Sequence, residues 1–188
     1  MTHVTATQQQ HTVNGLDMDI LCDTIDAISN EPSLGKCKFR ATNQWHGGSK
    51  NASSIGDFYA AGQEHTHKQK YVFQADEPTM LAGVDDAANP VEYLLHALAA
   101  CVTTSMVAHA AVRGIHIESL ESELEGDIDL NGFLGLDADV AKGYSDIRVT
   151  FKVEADATAE QLRELAEFSP VYKTISQGAN VDIKVEQQ

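Results

Sequence analysis

Residues 89–104 read NPVEYLLHALAACVTT, and this stretch decides the fold. Asn89 suits a helix N-cap and Pro90 the first helical turn, so a long helix is expected from here to about Arg113, with Gly114 as its stop. Tyr93 to Val112 carries no charged side chain, which is the length of a membrane span. His96, His109, Thr103, Thr104, Ser105 and many weakly apolar alanines favour instead a helix buried in a soluble protein. A helix apolar on nearly every side, in a chain this small, points to burial by a second subunit, and a homodimer is expected.

Outward from the helix, the chain reads as one domain with an appendage. Residues 1–13 are polar and are expected to form a disordered tail. Leu16, Ile20, Leu21, Ile25 and Ile28 recur at helical spacing until Glu31-Pro32, giving an N-terminal helical extension over 14–33. A single domain is expected over 34–188. It starts with strands over 34–45 and 69–76, separated by the turn-rich HGGSKNASSIGDF. A loop over 80–89 leads to the long helix.

After Gly114 the period changes to two. Leu120, Leu124, Ile128 and Leu130 alternate with Glu121, Glu123, Glu125, Asp127 and Asp129, predicting a strand with one acidic face and a bulge near Ser119. Ile147, Val149, Phe151 and Val153 alternate with Arg148, Thr150, Lys152 and Glu154, so these bases are expected opposite those acids. Thr158 and Gln161 have capping-box spacing, Pro170 breaks the next helix, and NVDIKVE is expected as a last strand. The fold class is α+β.

The chain carries 28 acidic against 13 basic side chains, a formal charge of -15, which argues against nucleic acid or an anionic membrane surface as partner. The first fifteen residues have neither a basic nor an apolar segment of a secretory signal, so the cytoplasm is expected. Cys22, Cys37 and Cys101 have no CxxC spacing, which suits a reducing compartment better than a disulfide framework. No cofactor or metal is expected. His65-Thr66-His67 offers two imidazoles on one side of an extended segment, but no cysteine or acid lies nearby at ligand spacing, and a solvated loop is the simpler reading.

NPVEYLLHALAACVTT resembles the signature of the OsmC-like proteins, in which an Asn-Pro loop opens a central helix and a cysteine follows the proline by eleven residues, as Cys101 follows Pro90. SPVYKTI (169–175) resembles the family's second signature, a Cys-Pro-Val segment at the start of a broken helix. The resemblance spans roughly residues 36–186. It implies antiparallel sheets packed on two long central helices in an intertwined homodimer, with sites at the subunit interface. It also implies thiol-dependent reduction of organic hydroperoxides in oxidative-stress defence, restored by an external thiol or lipoyl reductant.

By that resemblance Cys101 is the attacking thiol, Ser169 occupies the position of the resolving cysteine, and Glu92 is the candidate acid near the helix start. Serine cannot form a disulfide, so resolution would fall to Cys22, Cys37, another subunit or a small thiol. The acid that directly follows the proline in the hydroperoxide-resistance branch is Val91 here, and Glu92 comes one later. The loop that carries the family's activating arginine aligns with HGGSKNAS, which offers His46 and Lys50 only. Arg40 lies upstream in an expected strand, and Arg113 is twelve residues past Cys101. His96 and His109 flank the thiol and are read as packing or hydrogen-bonding residues. The competing reading is an inert core thiol in a family member that binds a small apolar ligand in the interface pocket.

Overall fold

The computed structural model describes residues 11–187, which divide into two compact units meeting between Leu94 and Leu95. Of the tail expected over 1–13, residues 1–10 lie outside the described residues. Thr12–Val13 (β1) pairs antiparallel with Leu16–Asp17 (β2). Asn14 and Gly15, both at positive φ (52° and 78°), form the turn, as an Asn-Gly hairpin requires.

The helix expected from Leu16 begins two residues later, as Met18–Asn30 (α1), because Asp17 caps it by accepting a hydrogen bond from Ile20 N at 3.1 Å. A 3-10 turn follows at Pro32–Gly35. The strand expected over 34–45 starts only at Ala41 (β3, Ala41–Gly47). The segment before it is extended and forms only an isolated bridge, between Lys38 and Tyr59, with Arg40 O accepting from Gly56 N and Phe39 stacking on Phe58.

The segment read as turns contains the central strand of a sheet. Lys50–Ile55 (β4) pairs with β3 on one side and with Val72–Ala75 (β7) on the other, both antiparallel. NASSI has no apolar alternation to announce it, and the strand is held by ladders on both edges. Phe58–Ala60 (β5) and Gln63–His65 (β6) form a separate hairpin.

Pro90–Val112 (α2) begins in the first unit and continues into the second. It is long and apolar enough to cross a membrane, with a mean hydropathy of 1.5. In the second unit, however, its stripe Leu98, Val102, Met106 and Ala110 forms the core with Leu162 and Leu165. The four helix positions are four residues apart, so they share one face. The helix ends at Gly114 (φ 70°): Ile115 N donates to Ala110 O and Gly114 N to Ala111 O, the paired bonds of a Schellman stop.

Ile117–Ile128 (β8) and Tyr144–Ala155 (β9) form an antiparallel hairpin, joined through the short helix Leu130–Phe133 (α3). The register shifts between Ile117 and Ser119, where the bulge is expected. The acids and bases meet as read: Arg148 bonds Glu125 (2.6 Å) and Asp127 (2.6 and 2.8 Å), and Lys152 bonds Glu123 (2.8 Å). All of these groups are exposed, so they favour register more than stability.

Ala159–Ala166 (α4) starts with the expected capping box between Thr158 and Gln161. Pro170–Gln177 (α5) resumes after the break. The last strand, expected at NVDIKVE, is not formed. Its apolar positions Val181, Ile183 and Val185 are 80%, 81% and 86% exposed. Alternation supplies an apolar face, but a strand needs a neighbouring edge, and none of the described residues pairs with this segment.

Candidate functional site

Cys101 sits on α2 within the second unit, one residue before the buried Val102 and three after the buried Leu98. That position puts it on the flank of the core stripe, partly buried, with a free thiol. Its carbonyl accepts a hydrogen bond from Thr104 Oγ1 at 3.1 Å. Among the described residues no hydrogen bond reaches its sulfur. Partial access suits a nucleophile, while activation of a thiol calls for a donor or cation at the sulfur.

Glu92 lies at the other end of the same helix, in the first unit. Asn89 Oδ1 accepts from Glu92 N at 2.9 Å, and Glu92 Oε2 accepts from Asn89 N at 2.9 Å. This reciprocal pair satisfies two helix-start donors and places the carboxylate where the helix dipole favours it. Asn-x-x-Glu spacing carries that information in the sequence, although only the Asn89 half is read from it above.

Ser169 is fully buried and is the N-cap of α5, its Oγ accepting from Tyr172 N at 3.2 Å. The Ser169 hydroxyl therefore holds a helix start. Pro170 at the first helical position fits the same role.

The candidate cations are occupied elsewhere. Lys50 is paired with Asp86 in the loop that leads to α2, and this hydrogen bond is the main cause that raises its pKa. Together with His46, Asn51 and Gln74 the pair borders a hollow of about 290 Å3 in the first unit. Arg40 makes a two-pronged contact to Glu64 at 2.8 and 2.9 Å and donates to Asp57 O. Arg113 Nη1 lies 3.2 Å from His109 Nδ1 and donates to His109 O at 3.0 Å.

His109 stacks on Phe168 with ring centroids 4.0 Å apart, the packing role read for it. Its pKa is lowered, first by burial and then by the Arg113 charge, which favours the neutral ring. His96 is exposed. His65 stacks on Phe58 and His67 packs tilted against it, with centroids 5.1 and 4.9 Å away. Among the described residues no group of three or more His, Cys, Asp or Glu is placed to hold a metal ion. Cys22 and Cys37 are exposed free thiols of the first unit.

One charged residue escaped the sequence reading. Asp76 is buried, with Ser49 Oγ donating to it at 2.5 Å and the backbone of Val84 and Asp86 at 3.1 and 3.4 Å. The Ser49 bond is the largest of the causes that hold its carboxyl well below the usual range. It clamps the 83–86 loop, and Gly83 is needed there because a Cβ would lie 1.7 Å from Glu77 O. Nothing in the sequence around Asp76 marks it.

Structural comparison gives the same fold in distant proteins. An OsmC-like protein from Mycoplasma pneumoniae superposes with a TM-score of 0.54 at 17% identity, over 74% of this chain and 87% of that one. A Psychrobacter arcticus 273-4 protein named for osmotic-stress induction and a detoxification response gives 0.55 at 15% identity, over 73% and 88%. No curated protein matches the chain in sequence. The profile of the OsmC-like protein family matches residues 83–184, which include Cys101, Glu92 and Ser169. With that match covering more than half of the chain, and the α+β fold in agreement, the chain belongs to the OsmC-like family.

Proposed function

We propose that this chain reduces organic hydroperoxides with Cys101 as the attacking thiol. The observation that carries the reading is Cys101 itself: a free, partly exposed thiol on α2, eleven residues after Pro90, inside the family match. The Cys101 thiolate attacks one peroxide oxygen; the S–O bond forms, the O–O bond breaks, and the alcohol leaves with a proton. The resulting sulfenic acid condenses with an external thiol, releasing water and forming a mixed disulfide. A second thiol equivalent, or the other arm of a dithiol such as a lipoyl group, restores Cys101 and leaves as disulfide. Glu92 and Ser169 act as positioning residues through the helix starts they hold.

The working form is proposed to be an intertwined homodimer in the cytoplasm. Support comes from exposed apolar surface that a second copy would cover: Trp45 and Phe73 on the first unit's sheet, and Val181, Ile183 and Val185 near the C-terminus. Consumption of cumene or tert-butyl hydroperoxide with dithiothreitol tests the chemistry. Loss of turnover in Cys101→Ser is expected, and equal rates for the two proteins overturn the proposal.

A second reading keeps the fold for binding a small apolar ligand, with Cys101 as lining. It is favoured by the roles found for its expected helpers: Ser169 is a cap, Glu92 closes a capping box, and Lys50 is paired with Asp86. Prompt alkylation of Cys101 at about pH 6, well below the free thiol pKa, counts against that reading.

A further inference from the structure

Two apolar hollows lie side by side in the second unit. The smaller, about 160 Å3, is bordered by Leu98, Val102, Val149, Phe151 and Tyr172. The larger, about 310 Å3, is bordered by Met106, Val153 and Leu162. Phe151, Arg163 and Ala166 border both, so the two form one trough. It follows the α2 stripe Leu98, Val102 and Met106, a run of about 12 Å at the helical rise.

Arg163 is the unusual member of this lining. The other three arginines are each engaged, with Glu64, with His109 and with Glu125 and Asp127. Arg163 makes no side-chain hydrogen bond or ion pair among the described residues. Glu167 also borders the smaller hollow, but its carboxylate pairs with Lys173 at 3.6 Å. The trough thus combines hydrocarbon walls with one bordering arginine that has no counter-ion among the described residues.

A neutral apolar ligand would leave that guanidinium unused, and an inorganic anion would leave the walls unused. A planar fork suits a carboxylate, and the walls suit an unbranched chain. We propose that the trough binds a medium-chain aliphatic carboxylate, its tail along Leu98, Val102 and Met106 and its head on Arg163. The binding stands apart from the chemistry of Cys101, and its test contains no peroxide, so either can fail alone.

Calorimetric titration of the full, reduced chain with decanoate, decanol and acetate decides the matter. Decanoate is expected to bind roughly tenfold or more tightly than decanol, as a charge-assisted contact contributes. Acetate, which has a head and no tail, is expected to show no saturable binding. Arg163→Gln, an exposed substitution, brings decanoate down to the affinity of decanol and leaves decanol unchanged; Arg163→Lys keeps part of the difference. Equal affinities for decanoate and decanol, an unchanged decanoate affinity in Arg163→Gln, or no binding of either overturns the proposal. So does decanoate binding that appears only after truncation behind Gly178, which would make the apolar segment with Asp182 and Glu186 the occupant.

Discussion

Met18 is the one buried apolar side chain among the described residues of the first unit, whereas the second unit buries seven, six of them in one cluster. The buried side chain that organises the first unit beyond its helix is a carboxylate, Asp76, with three donors converging on it. The second unit is built on burial from water, which is non-directional and tolerant. The first relies on hydrogen bonds, which are directional and fail when one partner is lost. Exposed Trp45, Val72 and Phe73 on its sheet fit that contrast: apolar side chains are present, but they are not gathered into a core.

If the second unit depends on its core, Met106→Ala should be the most damaging change there, costing about 3 kcal/mol through lost burial and a residual cavity. Urea titration followed by hydrogen exchange measures it, and protection should fall in α2, β9 and α4. In the first unit Asp76→Ala should free the 83–86 loop, leaving Ser49 and two amides without their acceptor. The expected signature is loss of exchange protection at Val84 and Asp86 with little change at Leu162, and uniform loss in both units would erase the contrast. Ser169→Ala is a smaller perturbation of the second unit, about 1 kcal/mol as for other N-caps.

Acid should act on both units in different windows. His109 has a lowered folded-state pKa, so the unfolded chain binds the proton more readily and stability falls as pH drops through about 6.5. Asp76 is likewise depressed, so its contribution is present above about pH 3.9 and is lost only in stronger acid. Melting curves from pH 8 to 3 should therefore show the second unit weakening first. The smallest effect is expected at the exposed ladder, where Lys152→Ala should move the melting temperature by about 1 °C or less.

What could be read beforehand follows the same division. β8 and β9 are legible because their apolar and charged residues alternate, and Arg148 and Lys152 fall opposite the acids they pair with. β4 is not, because Asn51-Ala-Ser-Ser-Ile has no contrast between its faces and depends on neighbours distant in sequence. The β1–β2 hairpin carried an Asn-Gly signal that a polar tail reading passes over. NVDIKVE shows the opposite failure: its alternation is clear, but no pattern in a strand tells whether an edge is beside it. In the site, the place of Cys101 on its helix is legible from its spacing to Pro90. The freedom of Arg163 is not, since it depends on which acids the fold spends on Lys173 and Arg148.

Ser169 carries one more consequence, for the kinetics of any thiol cycle. Cys101 is the only cysteine after residue 94, and the Ser169 hydroxyl is committed to Tyr172 N. A resolving step inside the second unit is thereby closed, and a sulfenic acid formed at Cys101 would need a thiol from outside this unit. If that thiol is a small external one, turnover through Cys101 should rise in proportion to reductant concentration, whereas resolution by Cys22, Cys37 or a second subunit would leave the sulfenic acid's lifetime independent of it.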